Sequence, residues 1–142
     1  KTIRTYDKKN IILVGTPVWS QDVDVAADSP IKGYSNLMYT FHFYAATHKE
    51  MYREKVKAAV KKGLPVFVSE FGISESSGNG SIDKKEANTW IQFLKKNKIS
   101  YVCWSLSNKD ESCSLLKSSS TRTGNFRKTD LSAAGRWYQA VK

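Results

Sequence analysis

Residues 69–72, Ser-Glu-Phe-Gly, follow the apolar run 64–68 and place a single carboxylate, that of Glu70, at the end of a predicted strand. A run rich in valine and phenylalanine between Gly63 and Gly72 predicts a parallel strand buried on both faces, and such a strand has no structural need of an acid. Barrel enzymes carry catalytic groups at the carboxyl ends of their strands. We therefore predict that Glu70 is catalytic; a structural acid paired with a lysine is the alternative.

His42 and Tyr44 are suited to work beside such an acid. They come at the end of another apolar segment, and two residues that are two positions apart on a strand point to the same side. A lone histidine is more often a hydrogen-bonded core residue than a functional one. The tyrosine two positions later favours a functional role for the pair.

Four apolar segments predict four strands, near residues 11–15, 37–42, 65–70 and 100–106. Their starts are about 27 to 35 residues apart, which suits a strand followed by a crossover helix. Residues 49–62 and 82–96 have helical periodicity, and Gly63 is suited to end the first of these helices. A third helix, with Asp130 as its N-cap, is predicted to close the chain. The first crossover, residues 20–36, is predicted to be mostly irregular.

The predicted fold class is α/β, with residues 1–142 forming one domain. A closed parallel barrel has eight strands, and this sequence supplies four, so it amounts to half a barrel. Two unpaired edges and an uncovered inner face would remain, and we expect a second half or another copy of the chain to pack there. An open doubly wound sheet is the rival architecture, but the first crossover lacks the glycine-rich phosphate loop that such sheets often carry.

Composition argues against several classes of partner. The net charge of +10 raises the question of nucleic acid, but the lysines fall in segments typical of solvent-exposed helix faces, and no nucleic-acid motif accompanies them. Cys103 and Cys113 are too few for a disulfide framework or a metal site. No apolar run reaches the ~20 residues of a membrane span. The sequence begins without methionine, which favours a piece of a longer protein.

The four tryptophans divide into two kinds. Trp19 follows Pro17 in a predicted loop, and Trp104 has polar neighbours that a core would not contain, so both are predicted to bind flat apolar ligand faces such as sugar rings. Trp90 and Trp137 recur at helical spacing with other apolar residues. We assign these two to packing.

Four motifs lie at residues 14–21 (VGTPVWSQ), 38–48 (MYTFHFYAATH), 66–72 (VFVSEFG) and 104–109 (WSLSNK). In these motifs and their order, the sequence resembles the C-terminal half of a retaining endoglucanase of glycoside hydrolase family 5, the bacterial cellulase type built on the (β/α)8 TIM barrel. The resemblance extends from about residue 9 to the C-terminus. It implies that the four strands correspond to the last four of the family's eight.

The resemblance implies that Glu70 is the nucleophile that forms a glycosyl-enzyme intermediate. His42 and Tyr44 would lie beside it, with Tyr44 hydrogen-bonded to the nucleophile. Six further residues are implied to contact the substrate, namely Trp19, Ala46, His48, Trp104, Lys109 and Glu111.

These six residues are implied to serve different parts of the cleft. Trp104 would lie under the sugar next to the cleaved bond, and Trp19 would stack a sugar on the leaving-group side. Lys109 and Glu111 would form a pair that binds the hydroxyls of a more distant sugar. The remaining two, at positions 46 and 48, would line the cleft.

The sequence departs from the family pattern in one large respect, because the acid/base glutamate of the family's Asn-Glu-Pro motif is not in it. Retaining hydrolysis needs two carboxyl groups ~5 Å apart, and only the attacking one is accounted for. Glu75 and Glu111 are the other nearby acids, and both are predicted to lie on mobile loops. In a homodimer, two copies of Glu70 are expected to be farther apart than retention requires.

The expected function is that of a secreted, retaining endo-β-1,4-glucanase that uses no metal or other cofactor. Its expected partners are β-glucan chains and either the missing N-terminal half barrel or a second copy. Two alternatives remain open, which are a carbohydrate-binding half barrel without activity and a structural half-domain that self-associates.

Overall fold

A computed structural model describes residues 1–141 of the chain. The strands are β1 (Ile12–Val14), β2 (Leu37–Tyr44), β3 (Val66–Gly72) and β4 (Tyr101–Cys103). The helices are α1 (Thr2–Tyr6), α2 (Pro17–Ser20), α3 (Val23–Asp28), α4 (Glu50–Lys61), α5 (Lys84–Lys96) and α6 (Ala133–Val141), and a 3-10 turn covers Lys128–Asp130.

The strands form one parallel sheet in the order β1-β2-β3-β4, which confirms the prediction of four successive parallel strands. β1 and β4 are shorter than predicted, with three residues each. β4 ends at Cys103 rather than near residue 106 because the chain turns there. The carbonyl group of Ser105 accepts the N–H groups of Ser107 and Leu115 instead of continuing the ladder.

α4 ends where the sequence predicts, whereas α5 begins two residues later than predicted. α4 stops before Gly63, which has a φ of +83°, a left-handed conformation that glycine adopts without strain. α5 begins after Asp83, whose carboxylate accepts the N–H of Glu86 at 2.9 Å. Side-chain capping of this kind satisfies a backbone donor that has no partner within the helix.

The prediction that Asp130 caps the last helix is wrong. α6 begins at Ala133, and its cap is Ser132, whose Oγ accepts the N–H of Gly135 at 3.0 Å. Asp130 lies instead in the 3-10 turn, where it accepts the N–H of Arg127. The first crossover is also more ordered than predicted, since it contains the six-residue helix α3.

Aromatic side chains form the core between the sheet and its helices. Phe43 of β2 stacks on Trp90 of α5 with their ring centroids 4.0 Å apart. Trp90 and Trp137 are both buried, which confirms their assignment to packing. Because side chains alternate along a strand, the burial of Phe43 leaves its neighbours His42 and Tyr44 on the opposite face of the sheet.

The face of the sheet opposite the helices is only partly covered. Leu13 of β1 and Val102 of β4 are exposed there, and each of these edge strands has a neighbour on one side only. The expected uncovered inner face is therefore present. None of the helices in residues 1–141 has the length and apolarity of a membrane span. No three His, Cys, Asp or Glu side chains in the same residues are grouped as a metal ion would require.

Candidate active site

A β-bulge in β3 sets the geometry at the carboxyl end of the sheet. Phe41 of β2 lies opposite Val68, and the next residue of β2, His42, lies opposite Glu70, so Ser69 is an extra residue in β3. The ladder between β3 and β4 shifts at the same place. A bulge of this kind re-aims side chains locally, and here Ser69 and Glu70 both reach toward β2 on the inner face.

Glu70 contacts both of the residues expected beside it. Tyr44 Oη donates a hydrogen bond to Glu70 Oε1 at 2.8 Å, and His42 Nδ1 lies 3.8 Å from Glu70 Oε2. The other nitrogen of the imidazole, Nε2, is 2.8 Å from the Oγ atom of Ser69. The prediction that His42 and Tyr44 share one side of β2 is therefore confirmed, and that side faces the carboxylate.

Burial decides the protonation of the two residues beside the carboxylate. Burial and then the hydrogen bond to Glu70 raise the pKa of Tyr44 far above its ordinary value, so the phenol keeps its proton and donates it to the bond. Burial lowers the pKa of His42, although the charge of Glu70 opposes this effect. At neutral pH the site therefore presents one carboxylate between a phenol and an uncharged imidazole.

His48 lines the cleft and hydrogen-bonds the backbone of Tyr44. The residue is 4% exposed, and its Nδ1 accepts the backbone N–H of Tyr44 at 2.8 Å. Burial lowers the pKa of His48, so the ring is neutral and carries its proton on Nε2. This nitrogen lies 3.0 Å from Nε2 of Gln21. Two N–H groups cannot bond to each other, so we assign the carbonyl oxygen of the Gln21 amide to this contact, where it accepts the proton. His48 thus fixes the backbone of Tyr44.

Trp19 projects from a turn held in an uncommon backbone conformation. Val18 and Trp19 have φ angles of 53° and 51°, and a branched residue adopts this left-handed region only where its surroundings impose it. Hydrogen bonds to Thr40 of β2 hold this turn. Thr16 Oγ1 donates to the Thr40 carbonyl at 3.0 Å, and the hydroxyls of Ser20 and Thr40 are 2.7 Å apart. The turn leaves Trp19 82% exposed at the rim of the cleft.

These side chains surround a cleft of about 570 Å³ at the carboxyl end of the sheet. Its lining residues are Trp19, Ser20, Gln21, His42, Tyr44, His48, Glu70 and Ser76. Glu70 is the only carboxylate among these residues. A concave surface with one aromatic rim and several polar groups that converge on an acid is suited to a small polar ligand with flat apolar faces, such as a sugar.

The other four residues implied to bind substrate lie outside this lining, and they are Ala46, Trp104, Lys109 and Glu111. Ala46 donates its backbone N–H to the carbonyl of Ser74. Trp104 is 47% exposed and lies beyond the edge strand β4. Lys109 Nζ and Glu111 Oε1 do form a pair, at 2.5 Å. The structure therefore brings Trp19 and His48 into the cleft that contains Glu70, and the other four residues are outside its lining.

Glu75 and Glu111, the two acids considered as a second carboxyl group, already have other partners. Glu75 Oε1 accepts the N–H and the hydroxyl group of Ser81 at 3.2 and 2.7 Å. Glu111 is paired with Lys109. Neither acid lines the cleft in the described part of the chain, so the carboxylate of Glu70 has no second acid facing it.

Sequence reasoning missed Ser69 and Gln21 as members of this site. Strict alternation along β3 would place Ser69 on the face opposite Glu70, and nothing in a single sequence marks the bulge that brings it inward. Gln21 carried a weak signal, because it ends the first of the four motifs. No role was assigned to it.

The match to the family model for cellulase, glycosyl hydrolase family 5, covers residues 1–110. The chain is 47% identical over 133 residues to an endoglucanase of Clostridium saccharobutylicum, a match that covers 94% of this chain and 30% of the relative. A solved structure from Cytophaga hutchinsonii superimposes with a TM-score of 0.93 at 40% identity and covers 97% of this chain and 45% of the other.

The catalytic domain of Thermobifida fusca endoglucanase Cel5A (E5) superimposes with a TM-score of 0.89 at 32% identity, covering 97% of this chain and 47% of that domain. A variant of the same domain has been solved in complex with cellotetraose. The chain thus spans less than half of each of these relatives, and its four strands make up half of a (β/α)8 barrel, as predicted. This chain belongs to the cellulase family, glycosyl hydrolase family 5.

Proposed function

We propose that this chain provides the nucleophile and half of the substrate cleft of a retaining endo-β-1,4-glucanase. The observation that carries the proposal is the placement of Glu70, a single carboxylate at the end of a parallel strand, bonded to Tyr44 at 2.8 Å and open to a cleft with Trp19 at its rim. Similarity to endoglucanases supports the same reaction.

The proposed reaction has two displacements at the anomeric carbon. In the first, an oxygen of Glu70 forms a bond to that carbon while the bond to the leaving sugar oxygen breaks, and a second carboxyl group gives that oxygen its proton. In the second, water attacks the same carbon, gives a proton to the second carboxylate and releases Glu70. Tyr44 holds Oε1, so Oε2, whose contact with His42 is the longer one at 3.8 Å, is freer to attack.

We assign the second carboxyl group to a complementary N-terminal half barrel. Retention requires a carboxyl group ~5 Å from Glu70, and none of the described residues places one in the cleft. The edge strands β1 and β4, in which Leu13 and Val102 are exposed, are where the missing four strands would pair. Closure there would also extend the cleft past Trp104.

A second copy of this chain is the other possible source of four strands. In a twofold assembly of eight strands, the two Glu70 residues would be four strands apart on opposite walls. We expect their separation to exceed the ~5 Å that retention requires. Such a homodimer would bind glucan without cleaving it by this mechanism, and the two assemblies therefore differ in activity.

Chains of β-1,4-linked glucose are the proposed substrate. The exposed indole of Trp19 offers a flat surface for the apolar face of a sugar, and the polar groups around Glu70 suit its hydroxyls. Polymeric cellulose does not enter cells. We therefore place the proposed activity outside the cell, as the work of a secreted enzyme.

Release of reducing ends from soluble cellulose tests the proposal. The chain is assayed alone and after mixing with the N-terminal half barrel of the Clostridium saccharobutylicum endoglucanase, with complex formation checked by size-exclusion chromatography. Glu70→Gln is compared with Glu54→Gln, a matched change on the exposed side of α4, where Glu54 pairs with Lys57. We expect activity in the mixture, its retention in Glu54→Gln and its loss in Glu70→Gln.

Two results would count against this function. Full activity of the Glu70→Gln mixture would mean that another residue is the nucleophile. A complex that forms and binds soluble cellulose in affinity electrophoresis, but never releases reducing ends, would favour carbohydrate binding without catalysis. The observation that favours carbohydrate binding without catalysis is an exposed Trp19 beside a cleft with one carboxylate.

A further inference from the structure

Ser69 has no part in the reaction described above, yet it lies on the same face of β3 as the nucleophile. It is the additional residue of the bulge. Its Oγ atom is 2.8 Å from His42 Nε2, and the opposite ring nitrogen, Nδ1, faces Glu70 Oε2 at 3.8 Å. The imidazole of His42 is therefore held between a hydroxyl group and a carboxylate.

The two neighbours of the ring favour the same neutral tautomer. Next to a carboxylate, an N–H group is attracted and a nitrogen lone pair is repelled, so the proton belongs on Nδ1 of His42. Nε2 is then an acceptor, and the hydroxyl of Ser69 is placed to donate to it. Without that hydroxyl, Nε2 would be free to take the proton, which is the tautomer that a neutral imidazole prefers in water.

We propose that Ser69 is a positioning residue that holds His42 in the Nδ1–H tautomer and thereby directs an N–H group at the nucleophile. The carboxylate of Glu70 then faces donors on both oxygens, Tyr44 Oη at Oε1 and His42 Nδ1 at Oε2. The tautomer of His42 is a property of this chain and does not depend on a substrate or on another half barrel. Its consequence for catalysis rests on the proposed glucanase function.

Long-range 1H–15N spectra of the histidine-labelled chain test the proposal directly. The sequence has two histidines, so the two imidazoles can be resolved and assigned. We expect His42 as Nδ1–H and His48 as Nε2–H, since Nδ1 of His48 accepts the N–H of Tyr44. The spectra are recorded at about pH 8, above the ordinary histidine pKa. Because Nε2–H is also the form that a histidine in an unfolded chain prefers, near-UV circular dichroism of the same sample is used to show that the chain is folded.

Three serine variants test whether the hydroxyl group of Ser69 determines the tautomer of His42. Ser69→Ala is expected to shift the tautomer ratio of His42 toward Nε2–H by about fivefold, which corresponds to one ordinary hydrogen bond. Ser69→Thr keeps a hydroxyl group and is expected to keep the Nδ1–H form. Ser77→Ala removes a hydroxyl from an exposed loop and is the matched control. His48 should keep its tautomer in all three.

The proposal is overturned if wild-type His42 is found as Nε2–H, or if Ser69→Ala leaves its tautomer ratio unchanged. Because no substrate takes part, failure of the glucanase function would leave this result standing. In an assembly that cleaves glucan, Ser69→Ala is expected to lower kcat about fivefold with KM little changed, and Ser69→Thr is expected to restore it. A fall in kcat without a change of tautomer would show that Ser69 acts only by packing.

Discussion

A Cβ atom built on Gly72 would lie 2.7 Å from two carbons of the Tyr44 ring, which is closer than side chains approach in packed proteins. The two residues are register partners on neighbouring strands. The ring therefore occupies the space that a side chain at position 72 would take, and from there its Oη reaches Glu70. A glycine is needed at this position for the close approach of the ring.

Gly72→Ala is expected to displace the Tyr44 ring and break its hydrogen bond to Glu70. Because a hydrogen bond to a charged group contributes about 1.5–3 kcal/mol, kcat/KM of the assembled enzyme should fall about ten- to a hundredfold. Tyr44→Phe removes the same bond without crowding the backbone. The double variant should therefore be little worse than either single one, and fully additive losses would contradict this account.

Trp19→Ala is expected to weaken binding of cellotetraose about tenfold, because a stacked aromatic ring would be lost. Trp19 is 82% exposed, so its removal should change the free energy of unfolding by no more than about 0.5 kcal/mol. Tyr6→Ala is a matched control, since Tyr6 is 86% exposed on α1, away from the cleft lining. Calorimetric titration measures the affinity. Equal effects of the two substitutions would rule out a specific role for Trp19.

Stability should decrease as the pH falls below 6.5, the ordinary pKa of histidine. Burial lowers the pKa of both His42 and His48, so below this value the unfolded chain binds protons that the folded chain does not. The contribution of the neutral rings is fully present above pH 6.5 and is lost as the pH falls through their lowered pKa values.

His48→Asn tests which ring carries this effect, because an amide oxygen can accept the N–H of Tyr44 as Nδ1 does and does not titrate. We expect the free energy of unfolding in urea to depend less steeply on pH between about 5 and 8 in this variant than in the wild type. The remaining slope belongs to His42 and the acidic groups. Identical slopes would show that His48 titrates in the same way in the folded and the unfolded chain.

Gly135→Ala is expected to destabilise the chain by about 3 kcal/mol, because the new Cβ would collide with backbone. An added Cβ would lie 2.0 Å from the carbonyl oxygen of Leu115, against which α6 packs. Gly124→Ala is the control, since no atom lies within 4 Å of its Cβ position. Urea denaturation of the two variants gives the comparison. A Gly135→Ala variant as stable as Gly124→Ala would mean that α6 moves freely over this loop.

The local pattern was sufficient to predict the four strands and the position of Glu70 at the end of β3, but not the bulge. Apolar runs marked β2 and β3, and a period of two placed His42 and Tyr44 on one face. Ser69 could not be placed in the same way, because an extra residue in a strand is defined by the partner strand and leaves no mark in its own sequence.

Tertiary contacts explain why Ser132, and not the predicted Asp130, caps α6. Asp130 and Ser132 both precede the apolar pattern and both are good caps. Ser132 is the cap because its N–H donates to the Leu115 carbonyl and its hydroxyl to that of Ser114, and these contacts fix where the helix begins. Trp104 lies beyond the edge strand β4, where no further strand of the described residues continues the cleft wall.

The extra residue in β3 also determines where this strand can change in length. Without residue 69, Val68 would still lie opposite Phe41 and Glu70 would still lie opposite His42. The register between β2 and β3 would therefore be unchanged for all later residues of β3. Deletion of one residue elsewhere in a strand turns every side chain beyond it to the other face. A chain shortened at this position would keep its sheet and the pairing of Glu70 with His42, and it would lose the hydroxyl group that contacts His42.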